Sequence, residues 1–77
     1  MQELKMPKMG ITMEEGTIAN WIKNVGDKVN LGEPLYEVET DKQTVVIESP
    51  FAGTLKEILL NAGETAKVND VIGIIED

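Results

Sequence analysis

The sequence contains no cysteine, no histidine and a single serine, Ser49. Without cysteine it has no disulfide, no thiolate nucleophile and no thiolate ligand for zinc. Without histidine it lacks the commonest general base and the commonest metal ligand of proteins, and a Ser-His-Asp triad is excluded. These absences argue against self-contained acid–base or nucleophilic enzymology, so we predict neither catalytic residues nor a metal site.

Positive charge is scarce as well. Seven lysines and no arginine stand against 14 aspartates and glutamates, and the net charge is −7. Nucleic acids and anionic membranes bind clustered cations, so we expect neither as a partner. No apolar run approaches the ~20 residues that span a bilayer, and no signal peptide is evident. Because Met1 stands two residues before the first predicted strand, which leaves no room for a transit peptide, we expect a cytoplasmic protein of bacterial type.

The chain does contain an internal repeat. A shift of 37 residues aligns Gly16-Thr17-Ile18 with Gly53-Thr54-Leu55, and Asn24-Val25-Gly26-Asp27 with Asn61-Ala62-Gly63-Glu64. Glycines and apolar positions agree in a single register, which indicates a structural duplication rather than chance. We therefore predict one domain over residues 1–77, built from two similar halves.

Each half is predicted to form short β-strands, because alternating and β-branched runs are separated by glycine-containing turns. Ile18 and Trp21 are three residues apart, which predicts a bulge that lets both side chains face inward. Residues 56–61 contain good helix formers, but their repeat partners, residues 19–23, include the weaker helix formers Asn20, Trp21 and Ile22, so we assign strands to both. The predicted strands are residues 3–6, 17–22, 35–40, 44–48, 54–59 and 71–76.

Two equivalent amphipathic sheets must bury their faces against each other. The predicted fold is therefore all-β, a flattened barrel or sandwich of two small antiparallel sheets related by a pseudo-twofold axis, and we expect the isolated domain to be monomeric. The side chains expected inside are those of Leu4, Met6, Ile18, Trp21, Val29, Leu35, Val38, Val46, Leu55, Ile58, Val68, Ile72 and Ile75.

A hairpin with Asp41 and Lys42 at its tip joins the two halves. Because the turn has no glycine, a type I turn is predicted rather than the primed types. We expect Lys42 to project its amine into solvent and Asp41 to bond the turn backbone. Such a lysine is ordinarily only a solvated charge. Here, however, the repeat predicts that the chain ends lie at the opposite pole, so Lys42 would be displayed where a group can reach distant sites.

The whole chain resembles a lipoyl domain of the acyltransferase component of 2-oxo acid dehydrogenase complexes, which has the barrel-sandwich hybrid fold. Its opening motifs are more similar to those of pyruvate and acetoin complexes than to those of 2-oxoglutarate or branched-chain ones. Three segments carry the resemblance: Met6-Pro7-Lys8-Met9-Gly10 with Thr12-Met13-Glu14-Glu15-Gly16-Thr17; Val25-Gly26-Asp27-Lys28-Val29 with Gly32-Glu33; and Glu39-Thr40-Asp41-Lys42 leading to Glu48-Ser49-Pro50 and Gly53.

The resemblance implies that Lys42 carries lipoic acid through an amide bond, flanked in its turn by Thr40, Asp41 and Gln43. It further implies a swinging-arm carrier, loaded by a lipoate ligase or lipoyl transferase. The carrier would serve a thiamine-diphosphate decarboxylase, an acyltransferase catalytic domain and a dihydrolipoamide dehydrogenase. Gln43 departs from the small or apolar residue usual in the family after the lysine, and we expect an exposed turn to tolerate it.

The loop before the second strand is the segment that the resemblance implicates in recognition by the decarboxylase. Its candidate recognition residues are Met9, Ile11, Met13, Glu14 and Glu15. An equally good interpretation is that the three apolar side chains only cover the edge of the core.

Two other functions stay open. A biotin carrier shares this architecture, but its attachment motif is Ala-Met-Lys-Met, whereas Thr40-Asp41 and Gln43 surround the lysine here. An unmodified adaptor domain of the same fold would need no lysine at the tip. Both alternatives predict no lipoyl group on Lys42.

Overall fold

The computed structural model describes residues 1–10 and 13–77, which contain eight β-strands joined by turns and loops. They form two four-stranded antiparallel sheets, with the strand orders β1-β8-β6-β3 and β5-β4-β2-β7. The predicted all-β architecture of two small sheets is confirmed. Residues 1–10 and 13–77 include no helix long and apolar enough to cross a membrane. The strands are β1 Gln2–Lys5, β2 Glu15–Trp21, β3 Lys28–Val29, β4 Pro34–Glu39, β5 Thr44–Glu48, β6 Gly53–Ile58, β7 Thr65–Lys67 and β8 Val71–Glu76.

The sequence repeat is reproduced in the pairing of the strands. Thr17 lies opposite Glu39 in one sheet, and Thr54 lies opposite Glu76 in the other. Each of these strand pairs contains an irregularity at the equivalent place, between residues 18 and 20 and between residues 55 and 57. The first is the bulge that the spacing of Ile18 and Trp21 predicted. The strands β3 and β7 are also equivalent, but they are too short to have been predicted. The two halves are thus related by the predicted pseudo-twofold symmetry.

Equivalent turns bind each half to the other. The N–H of Gly26 donates to the carbonyl of Leu55, and the N–H of Gly63 donates to the carbonyl of Ile18, both at 2.7 Å. Gly26 and Gly63 have φ angles of 97° and 90°, a region that glycine adopts without steric cost. The turn of each half therefore completes its hydrogen bonds on a strand of the other half.

The core lies between the two sheets. Nine of the thirteen side chains predicted inside are buried, and Trp21, Ile58 and Val68 are half-buried. Tyr36 was not predicted to be buried, yet it is 2% exposed, and its ring centroid lies 4.9 Å from that of Trp21. The buried hydrophobic side chains are Leu4, Met6, Ile18, Val29, Leu35, Tyr36, Val38, Leu55, Ile72 and Ile75.

The prediction for Val46 is wrong. Its side chain is 48% exposed, and it pairs with Glu37 on the outer face of the sheet. The run Val45-Val46-Ile47 has no alternation of polar and apolar residues, so it does not reveal which face is buried. Because neighbouring residues of a strand face opposite sides, an error of one position exchanges the buried and exposed faces. The half-buried residues of this run are Val45 and Ile47.

Tyr36 should titrate abnormally in the folded protein. Burial raises its pKa to about 12 from the ordinary value of 10.0. The folded state holds this proton more tightly than the unfolded chain, so the resulting contribution to stability, of order 2 kcal/mol, is complete below pH 10 and is lost as the pH rises through 12. Because Tyr36 is the only tyrosine, ultraviolet absorbance of the phenolate should give its pKa directly, near 12 in buffer and near 10 in concentrated urea. A folded protein that titrates near 10 would contradict the burial argument, and Tyr36→Phe is the blank.

Candidate functional site

The hairpin between β4 and β5 presents Lys42 at its apex. The N–H of Thr40 donates to the carbonyl of Gln43 at 2.8 Å, which closes the hairpin around the two central residues, Asp41 and Lys42. In the described part of the chain, Asn69 is the one non-glycine residue with a positive φ. Types I′, II′ and II each need a positive φ at a central position, so the geometry agrees with the predicted type I turn.

The side chain that holds this turn is that of Thr40. Its hydroxyl oxygen accepts hydrogen bonds from the N–H groups of Gln43 and Lys42, at 3.2 and 3.4 Å. The prediction that Asp41 would bond the turn backbone is therefore wrong, because Thr40 occupies that role. A threonine at the first position of a turn is a known signal for such bonds, and it could have been read from the sequence.

The amine of Lys42 points away from the packed part of the described structure. Its side chain is exposed, and within residues 1–10 and 13–77 it takes part in no salt bridge. The salt bridges in that part of the chain instead use Lys23, Lys56 and the N-terminus. Asp41 and Gln43 are exposed too, so the departure from the family pattern at Gln43 meets no packing constraint. The nitrogen is available to an enzyme that approaches from solvent.

We expect Thr40→Val to loosen the turn, because valine has the shape of threonine but leaves two backbone N–H groups without their acceptor. The free energy of unfolding should fall by about 1 kcal/mol. Urea denaturation of the wild type, Thr40→Val and Thr40→Ser gives a direct comparison, and the serine variant should stay within about 0.5 kcal/mol of the wild type because it keeps the hydroxyl. Equal losses in the two variants would assign the effect to the methyl group instead.

A groove of about 510 Å³ runs alongside Lys42. One wall is the turn, Thr40 to Gln43, and the other is formed by residues 9–10 and 13–14 of the loop between β1 and β2 together with Glu15, the first residue of β2. The structure therefore brings four of the five candidate recognition residues, Met9, Met13, Glu14 and Glu15, up to the turn that carries Lys42. The fifth, Ile11, lies outside the described residues.

The positions of Met9 and Met13 agree with both interpretations of this loop, contact with a partner and cover for the edge of the core. Met9 and Met13 are half-buried and pack against the core, and they also line the groove. Their loop is tied to the sheets by the N–H of Val68, which donates to the carbonyl of Glu14 at 3.0 Å. Glu14 and Glu15 are exposed. The apolar residues thus form the floor of the groove and the acidic ones its rim.

The chain ends lie at the far end of β5 from Lys42. β5 runs from the Lys42 turn towards Phe51, and Phe51 lines a second groove together with Met1 and Gln2. The amino group of Met1 lies 3.7 Å from a side-chain oxygen of Asp77, so both ends are at that pole. The molecule measures 32 × 21 × 18 Å. Its apex amine and its chain ends are therefore separated, as the repeat predicted.

A comparison with protein families identifies the family of this fold. A biotin/lipoyl family model, described as "Biotin-requiring enzyme", matches residues 2–75. The chain belongs to the biotin/lipoyl family. The match covers both sheets and the hairpin that carries Lys42, so residues 2–75 form a domain of this family.

The relatives and the solved structure that this biotin/lipoyl domain resembles are acyltransferase components of dehydrogenase complexes and a lipoyl domain. It is 48% identical over 75 residues to the dihydrolipoyllysine-residue acetyltransferase component of the pyruvate dehydrogenase complex of Corynebacterium glutamicum, covering 97% of this chain and 11% of that protein. It is 45% identical over 75 residues to the succinyltransferase component of the 2-oxoglutarate dehydrogenase complex of Staphylococcus saprophyticus, covering 97% and 18%. The solution structure of the lipoyl domain of the Azotobacter vinelandii 2-oxoglutarate dehydrogenase complex matches with a TM-score of 0.79 and 28% identity, over 97% of this chain and 95% of that one.

The predicted resemblance to lipoyl domains of acyltransferase components is thereby confirmed. This biotin/lipoyl domain spans less than a fifth of the length of these two curated relatives. Pyruvate-type and 2-oxoglutarate-type relatives match it with similar identity, so similarity alone does not select one complex.

Proposed function

We propose that this domain is a non-catalytic carrier whose Lys42 is joined to lipoic acid through its side-chain nitrogen. The observation that carries the proposal is the exposed amine at the hairpin apex, which has no salt-bridge partner in the described structure and lies away from the chain ends. The residues present fit a lipoyl group, because amide formation needs only an accessible primary amine and the side chain of Lys42 is exposed. The amide removes one positive charge and takes the net charge from −7 to −8.

The hard chemistry of such a system belongs to the cofactor and to partner enzymes. When attached, a lipoyl group supplies a disulfide that can be reduced and acylated, and so can carry an acyl group together with two electrons. This chain contributes the amine of Lys42, a turn held by Thr40 and a rigid two-sheet support. A tethered group meets each partner at a high effective concentration, which is the physical benefit of a carrier.

The proposed partners follow from the lipoyl assignment. A lipoate ligase or lipoyl transferase would load Lys42. A thiamine-diphosphate decarboxylase, an acyltransferase catalytic domain and a dihydrolipoamide dehydrogenase would then use the arm in turn, within a complex of the 2-oxo acid or acetoin type. Met9, Met13, Glu14 and Glu15 are the proposed contact residues for the decarboxylase, because they lie on the wall of the groove that faces the loaded turn.

Two ligases test the carrier proposal against its alternatives. The purified chain is incubated with a lipoate ligase in one reaction and with a biotin ligase in another, and the intact protein is weighed. We expect a lipoyl-sized increment only in the first reaction, since Thr40-Asp41 and Gln43 replace the Ala-Met and Met of the biotin motif. A biotin increment would instead establish a biotin carrier. No increment from either ligase, in a protein shown to be folded, would favour the unmodified adaptor.

A further inference from the structure

We propose that the groove beside Lys42 is a resting seat for the disulfide ring of the arm that Lys42 carries. The inference depends on the proposed lipoylation, and it adds a contact between the arm and this chain's own residues. In the resting domain the ring would lie on the side chains of Met9 and Met13 rather than in free solvent.

The floor of the groove is apolar and is held in place. The N–H of Met9 donates to the sulfur of Met13 at 3.2 Å. The end of the Met13 side chain lies close over Gly16, where an added Cβ would come within 2.9 Å of its methyl carbon and 3.1 Å of the Met6 sulfur. Met13 is therefore packed between the core and the groove. A preformed apolar surface of this kind binds a small ring without the cost of ordering a loop.

The chemistry of the floor suits a disulfide ring. Thioethers are soft, polarizable groups that pack well against other polarizable surfaces, and the strained ring of lipoic acid is compact, uncharged and rich in sulfur. At about 510 Å³ the groove lies within the range of small-molecule sites. It can hold such a ring and part of the methylene chain that leads to it.

The charges that line the groove favour an uncharged occupant. The described lining has carboxylates at Glu14, Glu15 and Asp41, and its cation is Lys42 itself. Amide formation on Lys42 removes that cation, after which an anionic ligand would face only carboxylates. A neutral ring meets no such repulsion.

Lys42 is both the attachment point and part of the groove wall. The ring is therefore delivered by a flexible tether that begins at the site, so even a weak contact is populated because its effective concentration is high. An untethered small molecule or a segment of a partner has no such advantage.

Methyl NMR of the four methionines provides the test. Three versions of the full 77-residue chain are made by chemical synthesis with ¹³C-methyl methionine, with free, acetylated or lipoylated lysine at position 42. The acetyl form has lost the charge but has no ring, so it is the matched control. We expect the methyl signals of Met9 and Met13 to shift further in the lipoyl form than in the acetyl form, with NOEs to ring protons. The signals of exposed Met1 and buried Met6 should be the same in both forms.

A double variant, Met9→Gln with Met13→Gln, makes the floor polar. In the lipoylated variant we expect the ring carbons to relax like those of a free chain, while the Met6 signal reports that the fold is kept. Equal Met9 and Met13 shifts in the acetyl and lipoyl forms, without NOEs, would overturn the seat and leave the groove open to partners. Because the synthetic chain needs no ligase, this outcome is distinct from a failure of the proposed lipoylation.

Discussion

Lys42→Arg is expected to abolish loading by lipoate ligase completely while leaving the domain folded. Arginine keeps the positive charge, but its guanidinium stays protonated and cannot be acylated at neutral pH. The side chain is exposed at a turn, so the free energy of unfolding should change by no more than about 0.5 kcal/mol. Intact mass after incubation with the ligase should show the lipoyl increment in the wild type and none in the variant.

The matched control for this experiment is Lys8→Arg. Lys8 is an exposed lysine in the loop that forms the other wall of the groove. It has the same charge as Lys42 and lies at the same end of the molecule, but it is not at the apex of the hairpin. We expect full loading of this variant. A lipoyl increment that persists in Lys42→Arg would show that the ligase accepts another amine, and the role assigned to the apex would then be wrong.

Gly53→Ala should destabilise the domain more than alanine at Gly16 or Gly10. Gly53 has a φ of 155°, and a Cβ at this position would clash with the carbonyl oxygen of Glu76. That oxygen belongs to the backbone of a paired strand and cannot move aside without breaking the sheet. Backbone strain and overpacking each cost about 1–3 kcal/mol, so we expect a loss of about 3 kcal/mol or more. For a small domain this corresponds to a fall in melting temperature of roughly 12–24 °C.

The internal repeat supplies the comparison for this variant. Gly16 is the equivalent residue of the first half, and its Cβ would lie 2.9 Å from the Met13 methyl carbon and 2.9 Å from a Val38 methyl. These are side-chain ends, which can adjust, so Gly16→Ala should cost about 1–2 kcal/mol. Among residues 1–10 and 13–77, no atom beyond the chain neighbour lies within 4 Å of a Cβ built at Gly10, so Gly10→Ala should be neutral. Thermal denaturation that ranks Gly16→Ala as the worse variant would contradict the argument from backbone contact.

The repeat made most of the fold predictable from the sequence. Two apolar patterns in one register required two equivalent sheets, and residues 44–48 and 71–76 were assigned as strands with the bounds observed. Strands of two or three residues, such as β3 and β7, carry too little periodicity to be recognised. Their existence depends on pairing with β6 and β2, which are distant in the sequence.

Individual side chains were less predictable where local pattern was absent. Val46 lies in a run of three apolar β-branched residues, and only its partner Glu37 reveals which face is outside. The burial of Tyr36 follows from an irregularity in the pairing between residues 34 and 36, which no sequence period anticipates. In the site, Lys42 was identified at the tip of the hairpin, but the groove beside it depends on how the loop of Met9 and Met13 folds back. That arrangement is set by tertiary contacts.

The turns of Gly26 and Gly63, each hydrogen-bonded to the other half, mean that neither half is complete as a separate folded unit. A chain of half this length would leave the N–H of its Gly26-type turn without the carbonyl that satisfies it, and one face of its only sheet would be bare to water. It could meet both needs only by associating with a second copy of itself in a symmetric dimer. Fusion of two such copies in tandem provides the partner within the same polypeptide, so assembly no longer depends on protein concentration.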